Sequence, residues 1–534
     1  MSAAERTDNT SLVPQFLFPN TLAEQEAALE TNSLMQRLLA YRKRYEGDPH
    51  RPIYHYVNPE NTLNDPNGLC FWQDRWHLFY QAYPPEDPRQ HWGHAVSDDL
   101  IHWRDLPYAI YPNPEECCYS GATLVEEERV IAIYHGTKVG NMVAVSDDPL
   151  LLNWEKLTGQ PVIPIASADG SPLPYRVFDP CIWKKGDHYY ALSGGTLPHK
   201  ASGKRTRANF LFRSPNLVDW DYLHPFVEDD IFTLAGDDGA CPYFWPIGDR
   251  HILLFFSHMS GGQALLGDYD TERDKFVVTS QHDFNFGAFG PGGVHAPSAT
   301  PDGKGGVTVI FNMNPAKPTE GWNQIMTLPR RLTLQGTDKI GRDILLVEPA
   351  GDVESLRSEH RQIEDMVLPA NQEIVLGSIR GNAIELSAEI ETNDAPLVEL
   401  NVLRSPGKEE YTRIAFYRER GFRDWERYQG WQRDKLAAAT NSLISIDSSY
   451  SSLSPDVRSR APETGPVFLE RDEPLRLRVF VDRSVVEVFV NGKQCVAMRV
   501  YPEREDSVGV SLRSQGQDAR VVSLEAWQME NIYA

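Results

Sequence analysis

The feature that most constrains the fold is the residue pattern from Pro52 to Pro349. Short runs of aromatic and β-branched residues, such as Trp76–Tyr80, Val130–Tyr134 and His251–Phe256, are separated by Gly, Asp, Asn and Pro. Short strands with frequent turns and almost no helical periodicity predict an all-β sandwich, barrel or propeller. A stretch of about 300 residues holds five four-stranded blades of roughly 45 to 60 residues each. The repeats are too divergent to align, so the pattern alone leaves the number of blades open.

A second β-rich region comes next, and we assign it residues 367–534. Alternating strands are clearest in Leu475–Val481 and Ser484–Val490, and the Asn491-Gly492 pair after them is a tight-turn signal. This pattern predicts a β-sandwich as the second domain. Residues 350–366 are charged and poor in turn-forming residues, so we expect them to form a linker with a short helix after a first domain at 51–349.

Residues 1–50 form a predicted N-terminal extension. From Thr21 to about Tyr45 the leucines at 29, 34, 38 and 39 lie near helical spacing, and Asn20 or Thr21 can cap the segment. We expect one amphipathic helix here that packs on a domain surface. The alternative is a dimerisation helix, so a homo-oligomer is left open.

The net charge of the chain indicates which classes of binding partner are not expected. Its formal net charge is −23, from 75 acidic and 52 basic residues, and no lysine- or arginine-dense run is present. Nucleic acid and anionic membrane are therefore not expected partners. The first residues lack a charged-then-apolar signal pattern, and no apolar stretch reaches about 18 residues. We expect a cytoplasmic protein.

The sequence gives no sign of a cofactor. No cluster of His, Asp or Glu has the spacing of metal ligands, and no glycine-rich phosphate loop opens a helix. The six cysteines show neither C-x-x-C spacing nor a disulfide-rich density, so we interpret them as buried thiols. Neither a metal nor an organic cofactor is expected.

One turn-like segment, Asn64–Gly68, carries the first candidate for chemistry. It reads Asn-Asp-Pro-Asn-Gly and precedes a predicted strand that ends in Leu-Phe-Tyr-Gln at 78–81. Taken alone, a carboxylate in such a turn is usually solvated or caps the backbone. A further segment, Trp92–Trp103, has the pattern Trp-Gly-His-Ala-Val-Ser-Asp-Asp-Leu-Ile-His-Trp.

These three segments, in this order, resemble glycoside hydrolase family 32, which includes invertases, levanases and inulinases. Tyr119–Thr123 matches a further signature of that family, and Phe480–Phe489 resembles its C-terminal sandwich. The resemblance extends over about residues 50 to 530. It implies a five-bladed β-propeller with a funnel-shaped site, followed by a β-sandwich. It also implies hydrolysis of β-fructofuranosides by double displacement with retention of anomeric configuration.

By the same resemblance, Asp65 is the expected nucleophile. Such a mechanism requires an ionised carboxylate near the anomeric carbon and a second carboxyl group about 5 to 5.5 Å away that protonates the leaving oxygen. Asn64, Gln81 and Ser120 are expected to bind the substrate. Trp92 is expected to supply an apolar wall and a hydrogen-bond donor. The substrate implied is sucrose or the end of a fructan chain.

The second acidic motif of the family, Arg-Asp-Pro, is altered. Here it reads Phe178-Asp179-Pro180, so the aspartate that stabilises the transition state is kept and the arginine is not. Arg176 lies two residues earlier, on the same face if the segment is extended, and is a candidate replacement. An Arg176 that simply lies at the surface is the alternative.

The third motif is a glutamate directly before Cys-Pro, which acts as general acid and base. Ala240 occupies that position. Such a group contributes about 10² to 10⁴-fold to the rate, or about 3 to 5 kcal/mol of barrier, and alanine supplies none of it. Asp237 or Asp238 could deliver the carboxyl group through an altered loop. We favour Asp238 as the catalytic group, since it shares parity with position 240, and assign Asp237 to substrate binding.

Several functions remain open at this stage. The protein could be a degenerate fructoside-binding homologue, or Ala240 could be an engineered substitution. A fructosyltransferase would use the same nucleophile. A five-bladed arabinan or xylan hydrolase would share the architecture but not the combination of the Leu-Phe-Tyr-Gln and sandwich signatures.

Overall fold

The computed structural model of the protein describes residues 9–337, 343–423 and 440–533. In these ranges it contains the helices α1 (Leu22–Thr31) and α2 (Ser33–Arg44), one 3₁₀ turn (Val353–Leu356) and many short strands. No helix of the described residues is both long and apolar enough to cross a bilayer.

The strands of the first unit succeed one another in chain order. They are β1 (Leu63–Trp72), β2 (Arg75–Ala82), β3 (His91–Ser97), β4 (Arg104–Ile110), β5 (Cys118–Val125), β6 (Val130–Gly136), β7 (Gly140–Ser146), β8 (Glu155–Lys156), β9 (Ile163–Pro164), β10 (Pro180–Lys185), β11 (His188–Ser193), β12 (Thr196–Pro198), β13 (Arg205–Arg207), β14 (Phe210–Ser214), β15 (Asp221–Pro225), β16 (Val227–Glu228), β17 (Ala240–Ile247), β18 (Arg250–Ser257), β19 (Gly261–Asp270), β20 (Lys275–Asp283), β21 (Val294–Pro301), β22 (Val307–Met313), β23 (Ile325–Met326), β24 (Arg330–Thr337) and β25 (Asp343–Pro349).

These strands form five blades, numbered 1 to 5 in chain order, whose strands pair antiparallel except for β16 on β20. The sheets are β1–β4; β5–β8 with β9 on β7; β10, β11, β14 and β15; β17–β20 with β16 on β20; and β21, β22, β24 and β25 with β23 on β22. β12 and β13 form a separate hairpin. The inner strands β1, β5, β10, β17 and β21 contact one another in a closed ring. The predicted five-bladed propeller is confirmed.

The strands of the second unit form two sheets. They are β26 (Arg357–Leu368), β27 (Glu373–Arg380), β28 (Ala383–Glu391), β29 (Leu397–Arg404), β30 (Thr412–Tyr417), β31 (Ser442–Asp447), β32 (Glu463–Val467), β33 (Leu475–Asp482), β34 (Val485–Val490), β35 (Gln494–Arg499), β36 (Gly509–Gln515) and β37 (Ala519–Met529). One sheet has the order β26-β37-β28-β33-β34-β35 and the other β27-β36-β29-β30-β31-β32. Their inner faces enclose one apolar core, so the predicted β-sandwich is confirmed.

The inner strands of four blades are irregular near their starts. The pairing register shifts at Leu63/Pro66 in β1, Cys118/Gly121 in β5, Ala240/Tyr243 in β17 and Val294/Pro297 in β21. Such bulges re-aim side chains and are common next to active sites. They turn the ends of the inner strands toward the axis of the propeller.

Gly68 lies in a second register shift of β1, between Asn67 and Cys70, and shows why that irregularity needs a glycine. Its φ is +50°, and a Cβ there would lie 2.7 Å from Cγ2 of Thr123 on the neighbouring blade. Any other residue would carry both a strained backbone and a collision. This glycine lets β1 approach β5 closely just after Asp65.

The N-terminal extension differs from the prediction of one helix. Two helices, α1 and α2, meet at Asn32, whose side-chain oxygen accepts hydrogen bonds from the backbone N–H groups of Leu34 (2.9 Å) and Met35 (3.2 Å). Asparagine is among the preferred helix N-caps, so Asn32 begins a new helix instead of continuing the first. The apolar side of both helices packs on blade 1, as expected.

The segment 350–366 also differs from the prediction of a short helix. It holds only the 3₁₀ turn, and from Arg357 onward it forms β26, an edge strand paired with β37. Its charged side chains are mostly exposed, as is common on an edge strand. The charged composition therefore reflects an edge strand and not a linker helix.

A buried cluster of charges joins the two units. Asp482 of the sandwich accepts hydrogen bonds from the backbone N–H groups of Ile53, Tyr54 and His55, at 2.8 to 2.9 Å. The His55 ring lies between Asp482 (2.9 Å) and Glu487 (3.1 Å), and Arg330 of blade 5 donates to Glu487 at 2.7 Å. These side chains are fully buried, so each charge depends on its partners.

We expect Glu487→Ala to destabilise the protein strongly, because it leaves the buried Arg330 without its partner. Removing one member of a buried ion pair costs about 3–5 kcal/mol of the free energy of unfolding. Urea denaturation followed by tryptophan fluorescence measures the change. The control is Glu389→Ala, which breaks an exposed pair with Arg476 and should cost about 0–1 kcal/mol. Similar small losses in both variants would show that the buried cluster is not essential.

Candidate active site

The candidate site lies where the inner strands of the propeller begin. Asp65 comes from β1, Ser120 from β5, Cys241 from β17 and His295 from β21, and Asp179 directly precedes β10. Residues far apart in the chain thus meet on the axis, because each blade contributes the start of its first strand.

Asp65 is held by several donors. Its Oδ2 accepts hydrogen bonds from the Ser120 hydroxyl (2.6 Å) and the Gln81 amide (3.2 Å). His295 Nδ1 lies 3.1 Å from Asp65 Oδ1, although its alignment is not that of a hydrogen bond. Burial acts to raise the pKa of Asp65, but His295, Ser120 and Cys241 together hold it below its ordinary value. Asp65 is therefore an ionised carboxylate, and among the described residues none donates a hydrogen bond to its Oδ1.

Asn64 and Gln81 belong to the same polar network. Asn64 donates to the side-chain oxygen of Gln81 at 3.3 Å, and its own oxygen accepts from Gln324 (3.0 Å) and Asn312 (3.3 Å) of blade 5. Gln81 also donates to Ser120 at 2.8 Å. The three predicted binding residues Asn64, Gln81 and Ser120 are thus brought together beside Asp65.

Trp92 does not line the site as predicted. Its side chain is fully buried, and its indole N–H donates to the backbone oxygen of Tyr119 at 2.9 Å. It packs below the site, near Phe79 and against the position of Gly68. The expectation of an apolar wall with a free donor is therefore wrong, because the indole is part of the core that supports the bulge.

Asp179 is the second buried carboxyl group. Its Oδ2 accepts a hydrogen bond from the backbone N–H of Cys241 at 3.1 Å, and the Cys241 sulfur lies 3.5 Å from both Asp179 Oδ2 and Asp65 Oδ2. Burial and repulsion by Asp65 raise the pKa of Asp179 to about 7. Near neutral pH, one carboxyl of the site is ionised and the other holds its proton for part of the time, a separation typical of acid–base sites.

Phe178 stands beside Asp179 in the place of the family's arginine. Phe178 contacts a small apolar cluster that includes Ala240, Cys241 and Phe256, and its ring lies 5.5 Å from that of His135. Arg176 is exposed, and within the described ranges no residue forms a hydrogen bond or ion pair with it. The structure thus favours the surface alternative for Arg176, and no guanidinium offsets the charge of Asp179.

Ala240 is buried in the same apolar cluster, and the acidic pair before it divides into two environments. Asp237 is fully buried, and its oxygens accept hydrogen bonds from the hydroxyls of Ser257 and Ser260 (both 2.6 Å) and from the backbone N–H of Leu234 (2.6 Å). These bonds hold the loop in place. They leave Asp237 with no path to a substrate, contrary to the binding role assigned from the sequence.

Asp238 is partly exposed and pairs with a histidine that the sequence did not single out. Its Oδ2 lies 2.6 Å from Nδ1 of His258, and its Oδ1 accepts from the His258 backbone N–H at 3.3 Å. Asp238 also lines a cleft of about 730 Å³ together with His135, Arg176 and Phe178. The aspartate favoured from parity therefore faces the side of the propeller where Asp179 lies.

Residues that sequence reasoning missed come mainly from blades 4 and 5. His295 contacts Asp65, Asn312 and Gln324 hold Asn64, and His258 pairs with Asp238. Only the pairing of β17 with β18 could have indicated His258, because Ala240 lies opposite Phe256. No group of three or more His, Cys, Asp or Glu in the described part of the chain could hold a metal ion.

Comparison with known proteins agrees with the motifs. The family model of the glycosyl hydrolases family 32 N-terminal domain matches residues 55–349, and that of the family 32 C-terminal domain matches residues 352–528. The chain therefore belongs to glycoside hydrolase family 32.

Curated relatives are similar over most of the chain. Levanase of Bacillus subtilis (strain 168) is 26% identical over 92% of this chain and 72% of its own length. Sucrose-6-phosphate hydrolase of Escherichia coli is 26% identical over 88% of this chain and 93% of its own. Fructan 6-exohydrolase of Beta vulgaris is 26% identical over 91% of this chain and 88% of its own length.

Solved structures share the fold. Fructan 1-exohydrolase IIa from Cichorium intybus matches with a TM-score of 0.75 and 21% identity, over 91% of this chain and 98% of that one. Sucrose-6-phosphate hydrolase from Lactobacillus gasseri matches with a TM-score of 0.71 and 20% identity, over 94% and 98%. The propeller with its sandwich is thus an established architecture for this family.

We expect Asp179→Asn to stabilise the protein at alkaline pH. Asp179 ionises near pH 7 in the folded protein and near pH 3.9 when unfolded, so the wild type loses stability as the pH rises between these values. The variant lacks this loss and should be more stable by on the order of 2–4 kcal/mol at pH 8. Below pH 4 the difference should be small. Urea denaturation at several pH values measures it, with the surface variant Asp98→Asn as control. A difference that does not change with pH would contradict the raised pKa.

Proposed function

We propose that the protein hydrolyses β-fructofuranosides with retention of anomeric configuration and that Asp65 is its nucleophile. The observation that carries the proposal is the state of Asp65, a buried carboxylate kept ionised by His295, Ser120 and Cys241 at the axis of a family 32 propeller. Covalent attack on an anomeric carbon requires such an ionised carboxylate.

The contacts of Asp65 suggest how the first step proceeds. Within the described residues three groups hold Oδ2, and Oδ1 is buried beside His295 without a hydrogen-bond donor. These contacts fix the orientation of the carboxylate that attacks C2 of the fructosyl unit. Water then displaces the carboxylate from C2 in the second step, and two inversions give overall retention.

The other polar groups of the site fit a fructosyl unit. The amides of Asn64 and Gln81 can exchange hydrogen bonds with its hydroxyls, and so can Asp179 on the opposite side of Asp65. As positive charge develops on the ring, hydrogen bonds to Asp179 and Asp65 strengthen. Asp179 is therefore assigned to stabilisation of the transition state.

The names of the relatives support the class of substrate. They include enzymes named for levan, fructan and sucrose 6-phosphate. One structural neighbour was solved in complex with 1-kestose and another with sucrose. We assign sucrose or the ends of fructan chains as substrates. A fructosyltransferase remains the second candidate, and analysis of the products formed at high sucrose concentration separates the two.

Two further expectations from the sequence stay predictions. Cell fractionation tests the cytoplasmic location, and light scattering of the purified chain tests a homo-oligomer formed through the N-terminal helices or the sandwich.

We expect Asp65→Asn to abolish fructose release, because the amide cannot form the covalent intermediate. The loss in kcat should reach about 10⁴-fold or more, as for other lost nucleophiles. A coupled assay for fructose measures it. Asp98→Asn, an exposed aspartate of the same blade, is the matched control and should keep full activity.

The anomeric configuration of the first product provides a second test of the mechanism. In the presence of methanol, nuclear magnetic resonance of the first product should show the methyl β-fructofuranoside. A wild-type protein that binds sucrose in calorimetry but releases no fructose at any pH would support the binding-protein alternative instead.

A further inference from the structure

The altered third motif leaves the proposed reaction without a proton donor. The oxygen that leaves C2 of a sugar needs a proton, and the water of the second step must lose one. Ala240 can do neither, and Asp237 is occupied by hydroxyl and backbone donors. The group that takes over must lie beside Asp65 and Asp179 and reach the leaving-group side of the funnel.

We propose that His258, held by Asp238, is the general acid and base of this enzyme. The proposal rests on the function proposed above and adds the identity of the proton-transfer group. Asp238 is then a positioning residue, since it acts through His258.

The pairing of two strands brings this pair to the site. Ala240 lies opposite Phe256 in the β17–β18 ladder, so the residues two places before and two places after, Asp238 and His258, meet just beyond its end. Gly239, between Asp238 and Ala240, has a φ of +65°, so the strand alternation of β17 does not extend to Asp238. The pair is placed instead by its own contact, beyond the end of β17 where Ala240 stands in the position of the family's glutamate.

The aromatic contacts place His258 on the side of the nucleophile. The Phe256 ring lies 5.1 Å from that of His258 and 4.0 Å from that of His295. His295 in turn contacts Asp65. One aromatic ring thus separates His258 from the histidine that lies against the nucleophile.

The contact with Asp238 sets the orientation of the imidazole. Asp238 Oδ2 engages Nδ1 at 2.6 Å, so Nδ1–H is fixed and Nε2 is the nitrogen that remains for the substrate. The His258 side chain is 59% exposed, and within the described ranges no residue forms a hydrogen bond with Nε2. Asp238 directs both of its oxygens to His258, which favours the imidazole over the carboxyl as the proton donor.

The charges around His258 suit an acid that works near neutral pH. The hydrogen bond with Asp238 raises the pKa of His258, partial burial opposes it, and Asp179 and Asp65 raise it further. These three acidic neighbours favour the imidazolium form of His258, which is the form that a general acid requires.

The two steps balance with this assignment. In the first, an oxygen of Asp65 forms a bond to C2, the bond from C2 to the leaving oxygen breaks, and the Nε2 proton of His258 passes to that oxygen. In the second, neutral Nε2 takes a proton from water as the water oxygen bonds to C2 and the bond between C2 and Asp65 breaks. This displacement restores the carboxylate and the imidazolium.

The decisive experiment compares two substrates in the variant His258→Gln. Sucrose needs a proton for its leaving oxygen, whereas p-nitrophenyl β-fructofuranoside does not. We expect kcat/KM for sucrose to fall by about 10² to 10⁴-fold, and kcat/KM for the nitrophenyl substrate to change by less than about tenfold. Retained activity on the second substrate also shows that the variant is folded.

Reaction with azide is a second test, because azide would not restore activity if His258 had only a structural role. It is a nucleophile that needs no base, so it should restore turnover of the nitrophenyl substrate in His258→Gln and form β-fructosyl azide. The matched control is His102→Gln. His102 forms the same 2.6 Å contact with Asp99 at similar exposure, but on blade 1 and away from the site. It should leave both activities unchanged.

The role of Asp238 has its own test. Asp238→Asn removes the charge that raises the pKa of His258, so the alkaline limb of the kcat/KM profile for sucrose should move to lower pH. Activity on the nitrophenyl substrate should persist.

The outcomes separate the two proposals. Equal losses on both substrates in His258→Gln, or no azide product, overturn the role of His258. Full sucrose activity in His258→Gln together with its loss in Asp238→Asn assigns proton transfer to Asp238 and also overturns it. If the wild type releases fructose from neither substrate, the proposed hydrolysis itself fails.

Discussion

The structure depends on keeping one charged carboxylate ionised in a place that water hardly reaches. Asp65 is 8% exposed, and burial alone would favour its neutral form. The ring of His295, the hydroxyl of Ser120 and the thiol of Cys241 oppose this effect from three different strands. These groups can surround one carboxylate only if the blades close into a ring, so the charge of the nucleophile and the closure of the propeller are linked.

The same site lacks two charged residues of the family, an arginine and a glutamate. With Phe178 and Ala240 in place of charged side chains, Asp179 lies against apolar neighbours, and its pKa rises to about 7. We assign the function of the missing acid to the pair of Asp238 and His258, at the end of the same two strands. The chemistry thus moves to a neighbouring position on an unchanged fold, as expected where function resides in a site and not in its scaffold.

Site residues that lie in sequence motifs could be predicted, whereas those that depend on contacts between distant blades could not. Asn64, Asp65, Gln81 and Ser120 were found because ordered motifs carry them. His258 and His295 were not, because their proximity to Asp65 arises only when blades 4 and 5 complete the ring. Predictions from local sequence patterns were wrong where burial, helix capping or strand pairing decides the structure. The indole of Trp92 is core, Asn32 divides one expected helix, and the charged stretch after residue 356 is an edge strand.

The most direct test of Asp65 as the nucleophile is to trap the covalent intermediate. Wild-type protein is mixed with p-nitrophenyl β-fructofuranoside, quenched in acid within milliseconds, digested and analysed by mass spectrometry. We predict that the peptide containing Asp65 gains the mass of one fructosyl unit and that fragmentation assigns the added unit to Asp65. An unmodified Asp65 peptide during rapid fructose release, with a first product of inverted configuration, would contradict a double displacement at this residue.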